Sequence, residues 1–89
     1  MGKYTLEIYT RPTCGDCQDL KRYLKEHELP FTGNDVEKEP DKEQELINKT
    51  GNRIVPTLVF RKKGLFKKEK VFTGFEVNRE EVEDLFEKL

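Results

Sequence analysis

The chain has 89 residues, 34% of them apolar and 39% charged, with a formal net charge of −1. That length supports one modest core and excludes two, so a single domain over residues 1–89 is expected. The near balance of charge excludes a general nucleic-acid or membrane-surface binder, and no apolar run approaches the roughly 20 residues of a membrane span.

The first element is a strand over Lys3 to Tyr9, where Tyr4, Leu6 and Ile8 alternate with Thr5 and Glu7. Pro12 ends it, and a loop runs through Thr13. From Gly15 to Glu28 the apolar positions Cys17, Leu20, Tyr23 and Leu24 recur at helical spacing among charged residues, and Pro30 stops the helix. Phe31 to Val36 reads as a short second strand, made irregular by Gly33-Asn34-Asp35. A second helix starts near Pro40, faces Leu46 and Ile47 inward, and stops at Gly51. The acidic run Glu37 to Glu45 is expected to be its solvated face. Leu58 to Phe60 is the most strand-like run, and Glu69 to Phe72 returns as its hairpin partner through Arg61 to Lys68. Asn78 with Glu81 three residues on is a capping signal, followed by Val82, Leu85, Phe86 and Leu89 on the apolar face of a last helix.

The order is therefore strand, helix, strand, helix, strand, strand, helix. A parallel first βαβ unit with a right-handed crossover and an antiparallel closing hairpin predict a mixed four-stranded sheet with helices on both faces.

The chemistry lies in Cys14-Gly15-Asp16-Cys17, which holds both cysteines of the chain. Met1-Gly2-Lys3 opens without a signal-peptide core, so the cytoplasm is the expected compartment, and that compartment keeps thiols reduced. A Cys-x-x-Cys there points to redox chemistry or half of a metal site. A disulfide is attacked by a thiolate, and a helix starting at Cys14 would favour that anion through its free amides and dipole, with Arg11 adding charge. Asp16 opposes this. Cys17, one turn on and on the buried side, is placed to resolve a mixed disulfide on Cys14. A closed zinc site needs four ligands, and only His27 would join from the remaining histidine and cysteine pool; His27 reads as a surface residue. Pro56 marks a strand entry, with trans as the default for its peptide bond.

With Cys14-Gly15-Asp16-Cys17 after a first strand, Val55-Pro56-Thr57 before a third and Thr73-Gly74-Phe75 before the last helix, the chain resembles a glutaredoxin, within the thioredoxin-like α/β fold. The resemblance implies a thiol–disulfide oxidoreductase, with Cys14 as nucleophile and Cys17 as resolving thiol. It implies a cis Pro56 facing the dithiol, and a Val55 backbone that pairs with an extended substrate. It puts substrate-binding positions at Arg11, Thr13, Arg53, Val55, Pro56, Gly74, Phe75 and Glu76, with Arg11 and Arg53 near a glutathione carboxylate. The implied partners are a disulfide-bearing protein or a glutathione mixed disulfide, with no nucleic acid and no membrane, and a monomer is expected. No cofactor or metal is required; glutathione is a possible reductant.

The motif departs from the family at Gly15 and Asp16, where Pro and Tyr are typical, and at Gly74-Phe75-Glu76-Val77-Asn78, where Gly-Gly and an acidic pair are typical. The Gly-Phe step is closer to the glutaredoxin-like hydrogen donors of ribonucleotide reductase, which thioredoxin reductase reduces. Two further readings stay open: an iron–sulfur cluster carrier bridging a dimer, and a redox-inert interaction module that docks an acidic partner through Leu65 and Phe66.

Overall fold

The computed structural model describes residues 2–64 and 68–89. Strand β1 (Tyr4–Thr10) is followed by α1 (Gly15–Glu26), β2 (Thr32–Asp35), α2 (Pro40–Thr50), β3 (Thr57–Lys62), β4 (Glu69–Thr73), a 3-10 turn at Glu76–Asn78 and α3 (Arg79–Phe86). The four strands form one sheet in the order β2-β1-β3-β4. β1 pairs with β2 in parallel, and the β1–β3 and β3–β4 pairs are antiparallel. This is the mixed, thioredoxin-like sheet the pattern predicts.

Period-2 alternation divides the core. Tyr4, Leu6 and Ile8 of β1 and Leu58 and Phe60 of β3 point to one face, where Leu20 and Leu24 of α1 and Val82, Leu85 and Phe86 of α3 cover them. Tyr9 and Val59 point to the other face and meet Val36, just after β2, and Leu46 of α2. Each of these side chains contributes about 1.5–3 kcal/mol on burial.

Several element ends differ from the sequence expectation. α1 stops at Glu26, because Glu28 takes a left-handed turn (φ 52°) that returns the Leu29 amide to the Leu24 carbonyl at 2.9 Å. Ile47 is only half-buried, and Leu46 is the buried residue of α2. Gly51 ends α2 with φ 79°. The capping box at Asn78 is not made: its side chain makes no cap, and its Nδ2 donates backwards to the carbonyls of Thr73 (2.8 Å) and Gly74 (2.9 Å). Leu65 and Phe66, the docking candidates, lie outside the described residues. No helix among the described residues is long and apolar enough to cross a membrane.

Candidate active site

β1 ends at Thr10, and the chain turns through Pro12 and Thr13 to deliver Cys14 to the start of α1. The Cys14 amide donates to the Arg11 carbonyl at 3.3 Å, which closes that turn. Cys14 is the N-cap of α1, in extended conformation, and its Sγ accepts from the Cys17 amide at 3.1 Å. A sulfur thus sits where capping oxygens usually do, against one of the helix's unpaired N–H groups. The Val55–Pro56 bond is cis, as the resemblance implies and against the trans default. The Val55 carbonyl lies 3.7 Å from Cys14 Sγ and accepts the thiol hydrogen.

Both cysteines are free, Cys14 half-buried and Cys17 buried. Burial, then the hydrogen bond to Cys14, pushes the Cys17 thiol up to about 12. One thiol is therefore reachable and held by a donor, and the other is enclosed and keeps its proton.

The remaining candidate positions fall into two groups around Cys14. On one side Arg11 and Arg53 converge, but on a third residue: Glu43 of α2 takes Arg11 Nη2 at 2.9 Å and lies 3.8 Å from Arg53 Nε. The acidic run of α2 is thus not wholly a solvated face. Glu43 is half-buried in this pair, and Glu45 accepts from the buried Tyr9 hydroxyl at 3.0 Å. Burial and that carboxylate raise the tyrosine's pKa.

On the other side lies the segment after β4. Gly74 has φ 96°, a left-handed conformation suited to glycine, and a Cβ there would sit 2.8 Å from Val77 Cγ2. Phe75 is buried against α1 and α3, and the Arg79 guanidinium lies 4.6 Å from its ring centre. The Phe75 amide donates to Asp16 Oδ2 at 2.8 Å and the Glu76 amide to Asp16 Oδ1 at 3.2 Å. The Glu76 side chain pairs with Arg79 at 3.2 Å. Asp16, read from sequence only as a charge opposing Cys14, ties the dithiol turn to this segment. An acidic residue in a first helical turn is a visible signal; which distant amides it reaches is not.

Thr13 is exposed, and its side chain is drawn into no hydrogen bond among the described residues. His27 is exposed and stacks on Tyr23, with ring centres 4.1 Å apart. Ile54 (55% exposed) and Val77 (84%) leave large apolar side chains in solvent beside Val55 and Gly74.

A cysteine pair at the first turn of the first helix, beside a cis proline whose preceding carbonyl lies 3.7 Å from Cys14 Sγ, on a mixed four-stranded sheet, defines the thioredoxin-like fold class. The glutaredoxin family model matches residues 6–65, two thirds of the chain, and the chain belongs to the glutaredoxin family. Among solved structures it is similar to thioredoxin of Trichomonas vaginalis, at 28% identity over 96% of this chain and 78% of that one, with a TM-score of 0.66. The buckwheat glutaredoxin–glutathione complex shares the fold at 21% identity, over 93% of this chain and 72% of that one, with a TM-score of 0.64. Among curated proteins it is similar to the global transcriptional regulator Spx of Enterococcus faecalis, 39% identical over 41 residues, which are 46% of this chain and 31% of that protein. Spx 1 of Oceanobacillus iheyensis is 35% identical over 46 residues, 48% of this chain and 35% of that protein. The match thus spans about a third of these regulators' length.

Proposed function

We propose that the protein is a dithiol thiol–disulfide oxidoreductase that reduces disulfides presented in extended chain. The observation that carries this reading is the asymmetry of the pair: half-exposed Cys14 caps α1 with its sulfur on the Cys17 amide at 3.1 Å, while Cys17 is buried with its proton held.

The Cys14 thiolate attacks one sulfur of a substrate disulfide. A Cys14–substrate bond forms, the substrate S–S bond breaks, and the leaving thiolate takes a proton. Cys17 then gives up its proton and attacks Cys14 Sγ. This closes the Cys14–Cys17 disulfide and releases the second substrate thiol, so two electrons pass from protein to substrate. As the new bond forms, the charge develops on the departing substrate sulfur, which leaves as a thiolate and takes a proton. Regeneration takes two electrons from an external thiol or a thiol-reducing flavoenzyme. The Val55 backbone beside Cys14, flanked by exposed Ile54, suits a strand-like substrate that adds to an edge. A working dithiol fits a reducing compartment such as the cytoplasm.

The test is reduction of a peptide disulfide by the reduced protein under stopped flow. Wild type is expected to transfer two electrons per molecule, and Cys14→Ser to fall to the uncatalysed background. Transfer by Cys14→Ser at the wild-type rate would refute the assignment.

A further inference from the structure

Three groups beside the dithiol are built to hold an anion: the guanidinium of Arg11, that of Arg53, and the successive amides of Phe75 and Glu76. All three are already answered by this chain's own carboxylates. Glu43 takes Arg11 at 2.9 Å and lies 3.8 Å from Arg53. Asp16 takes the Phe75 amide at 2.8 Å and the Glu76 amide at 3.2 Å. The two acids come from different elements, Asp16 from the first turn of α1 and Glu43 from the first turn of α2.

We propose that Glu43 and Asp16 are specificity-determining residues that turn away anionic thiols and disulfides, glutathione included, and leave the site to neutral or basic disulfide-bearing chains. This rests on the thiol–disulfide reading above. Glutathione carries two carboxylates. To place either on Arg11 or on the two amides it must displace Glu43 or Asp16, leaving that acid without its donors and a like charge beside the newcomer. A thiol without carboxylates meets neither cost. Glu43 does not touch the reacting sulfurs; it acts through Arg11, and Asp16 acts through the segment after β4.

The experiment follows reduction of the oxidised protein by glutathione and by its diethyl ester, at equal thiolate concentration. The two carry the same peptide thiol and differ in their carboxylates. In each case one thiolate attacks Cys14 Sγ, forming a mixed disulfide and freeing Cys17, which takes a proton. A second thiol attacks the mixed disulfide, releasing Cys14 and an oxidised dimer of the reductant. The ester is expected to react about tenfold faster than glutathione with wild type, and Glu43→Gln is expected to narrow that ratio about threefold, the size of one partly exposed ion pair. Glu43→Asp keeps the acid and is expected to keep the wild-type preference, which loss of packing would not do. The double variant Glu43→Gln with Asp16→Asn is expected to bring the two rates together. Equal rates with wild type, or a ratio that Glu43→Gln leaves unchanged, overturn the inference while the thiol–disulfide reading stands. Reduction by neither thiol overturns the inference, and failure of dithiothreitol to reduce the oxidised protein as well overturns the thiol–disulfide reading with it.

Discussion

At the scale of single residues, the difference in surroundings between two chemically identical thiols comes from three atoms and a burial difference. Cys14 Sγ has the Cys17 amide on one side and the Val55 carbonyl on the other, so a thiolate there keeps a donor and a thiol there keeps an acceptor. Cys17 has lost its water, and burial holds its thiol protonated up to about 12. The folded state grips that proton more tightly than the unfolded chain, whose thiols titrate near about 8.5. The stability this contributes is fully present below the unfolded value and is lost as pH rises towards 12. In Cys14→Ser, alkylation of Cys17 by iodoacetamide at pH 8.5 is therefore expected to run at least about a hundredfold slower than that of a free cysteine peptide, and to reach the peptide's rate in denaturant. Alkylation of folded Cys14→Ser at the peptide's rate would show that the second thiol is neither enclosed nor shifted.

At the scale of elements, the candidate active site is assembled from segment ends: the start of α1, the entry to β3, the exit of β4 and the first turn of α2. What keeps the exit of β4 in place is mostly polar. Asn78 donates to the carbonyls of Thr73 and Gly74, and those two bonds hold the chain around the left-handed Gly74 so that the next amides face Asp16. Asn78→Ala removes both donors and is expected to cost about 1–2 kcal/mol. For a domain of this size that lowers the thermal midpoint by about 5–15 °C. Asn78→Asp offers an acceptor to two acceptors and is expected to be no better than alanine. A midpoint unchanged in Asn78→Ala, or restored by Asp, would mean that the turn is held by packing of Phe75 alone.

At the scale of the whole molecule, legibility in the sequence followed periodicity. β1, α1, β3 and α3 were readable because Tyr4, Leu6 and Ile8, or Val82, Leu85 and Phe86, each state one face at one period. β2 is the harder case. Three of its four residues, Gly33, Asn34 and Asp35, have poor strand propensity, and it is a strand because β1 offers a parallel ladder and Asn34 Nδ2 reaches the Ile8 carbonyl at 3.2 Å and Glu7 at 2.9 Å. The reactive pair was legible because a two-residue spacing at a strand–helix junction has a local physical consequence. The partners of Arg11 and Asp16 were not, since each is chosen by tertiary approach across 32 and 59 residues respectively. Nothing in a string of charges says which acid of α2 will meet which arginine, and Asn78 shows that even a strong local capping signal loses when the side chain is taken up by two carbonyls of the preceding turn.

The proposed reaction needs Cys14 as the attacking sulfur and Cys17 as the resolving one, and a covalent trap reads both at once. Reduced Cys17→Ser, mixed with a peptide disulfide and analysed by mass spectrometry after digestion, is expected to accumulate one stable adduct on Cys14. Wild type under the same conditions is expected to hold no adduct and to end with an internal Cys14–Cys17 disulfide. An adduct-free Cys17→Ser protein, or a Cys14→Ser protein that accumulates the adduct on Cys17 as fast, would contradict the assignment.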